Sequence, residues 1–353
     1  MTTPVDERIG VLGAERAGAG RIVLAHGGGG QLTDDLLMGT LLPRLGNAQL
    51  NALLDAAMLE ADGHRLALTL DGYVVQPWRF PGGDIGRLAV CGTVNDLAVC
   101  GARPLGIALG LILEEGLEEA ALETVLDSVA AAGREAGVEV VGGDTKVVEH
   151  RSGDGLYITT AGVGLARPGI DLSPQWVQPG DVILINGFIG DHGLAVMLAR
   201  QMPQVQSVLR SDTAPLNGLI DALLDAVGDA LLFMRDATRG GLAGVAVDLA
   251  LRSGWHITLG EEAIPVRGEA QHAADMLGLD PLEIANEGKV VAVVRAEAAE
   301  AALRVMRSHP LGRDATRIGT VNEPADGICE LHTSIGGRRV IQKPYGEQLP
   351  RIC

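Results

Sequence analysis

The sequence predicts a two-domain chain of the α/β class, α+β in detail, with a flexible C-terminal tail. Three observations predict it. Short runs rich in Val, Ile and Leu alternate with longer helical patterns, and a stretch dense in Pro, Gly and polar residues interrupts that alternation near residue 170. Beyond Ser334 the chain carries too few apolar side chains to build a core. At 353 residues it is long enough for two domains of ordinary size, each burying its own interior.

Taken in order, RLALTLDGYVV (65–75), LGIALGLIL (105–113), VEVVG (138–142) and LYITTAGVGLA (156–166) read as strands, with helices near 85–101 and 117–136 between them. RPGIDLSPQWVQPGD (167–181) reads as a linker. The alternation then resumes with VILING (182–187), helices near 191–201 and 240–253, KVVAVV (289–294), a helix near 297–307 and strands to about 333. This gives an N-terminal domain over 1–168, a C-terminal domain over 169–335 and a mobile tail over 336–353.

Composition excludes several functions. Cys91, Cys100, Cys329 and Cys353 are unevenly spaced and form no CxxC or Cys/His pairing, which argues against a structural zinc site or disulfide framework and for reduced thiols in a cytoplasm. The opening MTTPVDERIGVLGAERAGAG has no basic or apolar leader pattern, and no later stretch is long and apolar enough for a membrane span. A soluble, cytoplasmic protein is expected. The net charge of −17 argues against nucleic-acid partners, which require a basic face.

Four Gly-flanked segments present acids: TLDGYVV with Asp71, GTVNDLAVCGA with Asp96, VVGGDTKVV with Asp144 and MRDATRGGLAG with Asp236. Asp96 falls inside a helix, whereas the others lie at strand ends or glycine turns, where ligands commonly gather. Mg²⁺ takes hard oxygen ligands together with waters and phosphates, and these aspartates converging from separate segments would supply them. For any one of them alone a cap or a turn is the commoner role; the set of four together points to a ligand site. Glycine loops at HGGGG (26–30), PGGDIG (81–86) and GFIGDHG (187–193) can bring backbone N–H groups to phosphate or serve as flexible turns; HGGGG follows a strand-like IVLA. Neither GxxxxGK[ST] nor GxGxxG occurs, so a nucleotide would be held in another way.

The tail carries Arg338, Arg339, Lys343 and Arg351 against Glu347 and a terminal carboxylate, so the acidic body attracts it. Extended from Gly336, it spans on the order of 60 Å at ~3.3–3.6 Å per residue, enough to bring the Cys353 thiol from an edge into a cleft. The alternative is a disordered end with an incidental cysteine.

The set HGGGG, FPGGDIGRLAVCGTVNDLAVCGA, VVGGDTKVV, GFIGDHG, MRDATRGGLAG, NEGK and PRIC, in that order and across nearly the whole chain, resembles the HypE family of hydrogenase maturation factors. That family belongs with aminoimidazole ribonucleotide synthetase (PurM), selenophosphate synthetase and thiamine-monophosphate kinase. The resemblance implies a PurM-like (AIR synthase-like) fold, ATP and Mg²⁺ as cofactors, and a homodimer formed through the N-domains. It implies that Cys353 receives a carbamoyl group from the carbamoyltransferase HypF, is dehydrated with ATP to S-cyanocysteine, and passes cyanide to the iron centre of a [NiFe] hydrogenase through the HypC–HypD complex. By the same resemblance Asp71, Asp96, Asp144 and Asp236 are metal and phosphate positions, and Asp84, with Gly82 and Gly83, contacts nucleotide or metal. Lys146 steers the carbamoyl group, Glu287 in NEGK is the base, and His192 touches phosphate or tail. One departure is visible: Ala237 stands where the pattern RDPTRGG has proline. Another ATP-dependent enzyme of the same fold, such as a selenophosphate synthetase or small-molecule kinase, would keep the aspartates without using a PRIC terminus. A non-enzymatic maturation scaffold would use the tail only for docking, and a thiol-linked dimer would use it only for crosslinking.

Overall fold

The structure, a computed structural model, describes residues 20–346 and 351–353. Its N-terminal unit is built on β1 (Ala57–Ala61), β2 (His64–Tyr73), the short hairpin β3 (Arg79–Phe80) and β4 (Gly83–Asp84), then β5 (Ala102–Glu114), β6 (Val140–Val148) and β7 (Leu156–Ala166). The main sheet runs β1-β2-β7-β5-β6. Ladders are antiparallel except β5 with β6, which a long helix joins as a parallel pair requires.

Two short helical segments, α1 (Gln31–Leu36) and α2 (Leu42–Leu45), precede this sheet. The helices α3 (Ile85–Val99) and α4 (Glu119–Ala136) cover one sheet face, as the sequence leads one to expect. Along β2, Ala67, Thr69 and Tyr73 are buried beneath them while Leu68 and Leu70 are exposed on the other face, the period-2 alternation of a half-covered sheet.

The second unit comprises β8 (Val182–Ile185), α5 (Asp191–Gln201), α6 (Asn217–Val227), β9 (Leu231–Asp236), α7 (Gly241–Ser253), β10 (His256–Gly260), α8 (Gly268–Leu277), β11 (Val290–Val294), α9 (Ala299–Ser308), β12 (Thr316–Asn322), β13 (Cys329–His332) and β14 (Arg338–Ile341). Its sheet runs β14-β13-β10-β12-β8-β11-β9. The runs VILI and VVAVV are wholly apolar because both faces are covered: Ile183, Ile185, Val291 and Val293 enter one core, and Val182, Leu184, Val290 and Val294 enter the opposite one.

Four local expectations need correction. The strand expected at 138–142 runs over Val140–Val148, so VVGGDTKVV is strand rather than loop. IVLA is not a strand; Leu24–Gly27 form a 3₁₀ turn, with Ile22, Val23 and Leu24 exposed. Neither α6 nor α8 was expected from the sequence. Inside the stretch read as tail, β14 pairs antiparallel with β13 from Cys329↔Ile341 to His332↔Arg338.

The chain after β14 is held further. Lys343 Nζ binds Asp34 at 2.8 Å and Asp248 at 3.0 Å, and the Pro344 and Tyr345 carbonyls accept from the Gln31 and Leu32 amides at 2.8 and 3.1 Å. The first amides of α1 are thereby satisfied by the chain's own carbonyls. Gly30 permits this approach: a Cβ there would lie 2.3 Å from the Pro344 oxygen. From this anchor to the sulfur only the residues after Gly346 remain, a reach of roughly 25 Å at ~3.3–3.6 Å per residue.

Candidate active site

Three of the expected aspartates come together. The inner face of β2 carries Asp71, the facing side of α3 carries Asp96, and β9 ends on Asp236. The Thr93 hydroxyl donates to Asp71 at 3.4 Å and the Thr69 hydroxyl to Asp96 at 2.9 Å. Burial raises the carboxyl pKa of all three, and repulsion from neighbouring acids adds to it, from Asp55 on Asp71, from Asp236 and Asp71 on Asp96, and from Asp55 and Asp71 on Asp236: Asp96 is pushed well above the ordinary range and Asp236 to about 8. Asp236 Oδ2 is buried without a hydrogen-bond partner.

Asp55, just ahead of β1, is a fourth member that the sequence reading missed. Its carboxylate meets Arg235 at 3.1 Å, Arg235 meets Asp248 at 2.9 Å, and Asp248 meets Lys343 at 3.0 Å, an alternation of charge reaching the C-terminal segment. Among the described residues no three His, Cys, Asp or Glu groups are arranged to hold a metal ion by themselves. Mg²⁺ rarely asks for that, since it takes one or two carboxylates with waters and phosphate oxygens. Buried acids that repel one another and leave an oxygen unpartnered fit such a cation.

Beside this cluster stands Glu287, 3% exposed, with Oε1 unpartnered. Burial, then repulsion from Asp236 and Asp212, raises its pKa well above the carboxylate range. Its backbone is fixed by Asp212, whose Oδ1 accepts from the Glu287 amide at 3.0 Å and whose Oδ2 takes Lys289 at 2.8 Å. Burial would raise Asp212, but the Lys289 ammonium outweighs it and holds the carboxyl below its ordinary value. The Lys of NEGK therefore supports the Glu.

Cys353 lies on the same side, 9% exposed, and Arg239 Nη1 donates to its sulfur at 3.3 Å. Arg239 is exposed as a residue, but its guanidinium has a pKa raised first by Cys353 and further by Glu287 and Asp71, so one cation faces sulfur, base and metal cluster. His192, wholly buried on α5, meets the Ile352 carbonyl through Nε2 at 3.0 Å and the Ser211 hydroxyl through Nδ1 at 2.8 Å, with Phe80 edge-on to its ring. Burial lowers its pKa, so the neutral ring donates from Nε2 to the carbonyl and accepts from Ser211. His192 thus makes the contact to the tail that was one of the two expected of it.

Other expected residues sit elsewhere. Asp84 caps α3, its Oδ1 accepting from the Gly86 and Arg87 amides at 2.8 and 3.0 Å. Gly82 and Gly83 form the turn into that helix; a Cβ on Gly82 would lie 2.6 Å from the Ser211 nitrogen, so the glycine admits the segment that carries Ser211. Asp144 and Lys146 form an exposed ion pair at 2.6 Å on β6. Asp71 is in line with Thr160, Leu109 and Gly143, so Asp144 belongs to the opposite sheet face, three strand spacings or roughly 14 Å away. The structure does not bring Asp144 or Lys146 to Asp71, Asp96 and Asp236. Ala237 is buried and its amide donates to the Lys289 carbonyl at 3.1 Å, a bond proline could not make.

Comparison with known proteins agrees with this architecture. The AIR synthase related protein N-terminal domain matches residues 54–166 and the corresponding C-terminal domain matches 178–332. The carbamoyl dehydratase HypE of Azotobacter vinelandii is 47% identical over 334 residues, covering 95% of this chain and 98% of that protein. The chain belongs to the HypE family. Among solved structures, a HypE–HypF complex is 44% identical with a TM-score of 0.83, covering 88% of this chain and 99% of the other. The hydrogenase maturation protein HypE in complex with ATP is 42% identical with a TM-score of 0.79, covering 94% and 100%. The HypE fold is thus the two-unit AIR synthase-like arrangement expected from the sequence. None of its described helices is long and apolar enough to cross a membrane.

Proposed function

We propose that this chain is an ATP-dependent carbamoyl dehydratase that converts an S-carbamoyl group on Cys353 to S-cyanocysteine. The observation that carries this reading is the burial of the Cys353 sulfur against Arg239, beside Glu287 and the aspartate cluster. Dehydrating a primary amide requires a better leaving group than hydroxide. The γ-phosphoryl group of ATP goes to the carbamoyl oxygen, giving ADP and an O-phosphorylated imidate with loss of one proton from nitrogen. Loss of the second nitrogen proton then expels inorganic phosphate and leaves the C≡N bond, so the balance is one thiocarbamate and one ATP to one thiocyanate, ADP and phosphate.

Glu287 suits the proton transfers: it is buried, its Oε1 has no partner, and its raised pKa brings proton affinity toward that of its task. Arg239 holds the sulfur and offers further donors to developing charge. Asp71, Asp96 and Asp236, with Asp55 behind them, would hold Mg²⁺, which neutralises phosphate charge when bound. His192 and Arg200 orient the segment, Arg200 donating to the Arg351 carbonyl at 2.6 Å.

Partners follow from the family: HypF as carbamoyl donor and the HypC–HypD complex as cyanide acceptor, in a cytoplasmic setting. A homodimer is proposed through the open face of the N-terminal sheet, where Leu68 and Leu70 are exposed and where Asp144 and Lys146 point. Lys146 then acts at a dimer-borne site or not at all, and Lys146→Ala separates these outcomes by whether turnover falls while Cys353 is still loaded. The function itself is tested by following phosphate release from the carbamoylated chain: release in step with cyanation supports it, and cyanation without ATP consumption overturns it.

A further inference from the structure

The last three residues are held by more than the contact at sulfur. The Arg351 carbonyl accepts from the Gln76 amide at 3.2 Å and from Arg200 at 2.6 Å, the Ile352 carbonyl meets His192 at 3.0 Å, and a carboxylate oxygen of Cys353 accepts from the Val74 amide at 3.1 Å. The Val74 and Gln76 amides, on the chain leaving β2, thus hold the main chain of residues 353 and 351 in a fixed register. Side chains are read as well. Arg351 reaches Asp154 at 2.8 Å and donates from Nε to the Val74 carbonyl at 3.1 Å, and the Tyr157 hydroxyl steadies Asp154 at 2.6 Å. Ile352 is 3% exposed within the core shared by α3, α5 and α8. Arg351 adopts a φ of +56°, a left-handed conformation that a non-glycine residue keeps only where its surroundings fix it. These partners come from both units of the chain.

We propose that they form a sequence-reading binding site for an Arg-Ile-Cys peptide as a ligand in its own right, so that it accepts the segment supplied in trans. A tether alone would need none of the Arg351 contacts, since a sulfur delivered by linkage requires only room. Here each carbonyl has a donor, the basic side chain has an acid, and the apolar side chain has a core pocket. Arg351 with Asp154 sets the register, and Ile352 anchors it. Binding stands on geometry alone, while turnover of the bound peptide rests on the dehydratase reading above.

The experiment uses the chain truncated after Leu349 and a fluorescein-labelled synthetic peptide of sequence EQLPRIC, followed by anisotropy. Saturable binding is expected. The intact chain should bind the peptide at least about tenfold more weakly, because its own segment competes at an effective concentration on the order of millimolar. Peptide carrying Arg351→Glu should bind about tenfold or more weakly, and Asp154→Arg in the truncated chain should recover it. No saturable binding, equal binding to intact and truncated chains, or indifference to the Arg351→Glu change would overturn the proposal. With S-carbamoyl peptide and ATP, appearance of peptide lighter by one water extends the result to turnover. Binding without that product overturns the dehydratase reading and leaves the peptide site standing.

Discussion

Replacing Asp236 by asparagine tests the electrostatics of the metal cluster in the absence of any metal. Folded, Asp236 keeps its proton up to about pH 8, whereas in the unfolded chain it releases it near 3.8. Between those values the folded state binds the extra proton, so stability falls as pH rises and levels off only above the folded value. At about 1.4 kcal/mol per unit of pKa, the whole span is worth on the order of 5 kcal/mol, and the part above pH 5.5 on the order of 3 kcal/mol. Asparagine is nearly isosteric and cannot ionise, so it removes this loss and relieves repulsion on Asp96, whose pKa is raised by Asp236 next after burial. Thermal unfolding in EDTA from pH 5.5 to 8.5 is the assay. The native chain should lose about 3–5 °C more than Asp236→Asn over that range. Parallel pH profiles for the two proteins would refute the reasoning, because they would mean that Asp236 is already ionised or solvated without metal.

Further outcomes follow from single contacts. Glu287→Gln should lower cyanation by about 10²–10⁴-fold, as loss of a general base does, while loading of Cys353 by the carbamoyltransferase persists; single-turnover mass spectrometry separates the two. Lys289→Met strands the buried Asp212 carboxylate and should cost about 3–5 kcal/mol in urea unfolding, with Asp212→Asn in the same chain recovering part of the loss. Gly30→Ala places a Cβ 2.3 Å from the Pro344 oxygen, so the anchor at 343–346 must shift. Chymotryptic cleavage after Tyr345 should then accelerate, and an unchanged rate would show that the anchor tolerates the methyl group.

How legible the molecule is from its sequence depends on where each signal resides. The buried run Val290–Val294 and the helix over Ile85–Val99 are local patterns, and the structure returns them nearly as expected. The strand over Val140–Val148 outruns its sequence signal because its glycines have the pattern of a turn, whereas pairing with β5 along eight positions keeps it extended. That pairing is a property of the sheet and leaves no mark in GGDTK itself. Asp71, Asp96 and Asp236 were found as a motif set and do converge. Asp144, from the same set, lies on the other sheet face, which only strand register could reveal.

Asp55 sits in LLDAAM without a flanking glycine, and Arg239 lay unnoticed inside the quoted RDATRGG; a search for the basic partner of each buried acid would have pointed to it. The C-terminal segment was read from composition as mobile, but Arg338–Ile341 needs only an open strand edge, and Ile352 only one apolar pocket. Composition counts apolar residues without knowing what neighbouring elements offer them.

The account depends most directly on what happens at the sulfur of Cys353. Incubating the intact chain with the carbamoyltransferase, carbamoyl phosphate and ATP, then mapping peptides by mass spectrometry, follows it atom by atom. A carbamoyl adduct on the peptide ending in Cys353, converting with ATP to one lighter by a water and absent from Cys353→Ala, is the predicted result. An adduct that forms equally on the Cys353→Ala chain, or one that stays unconverted in the presence of ATP and Mg²⁺, would contradict it.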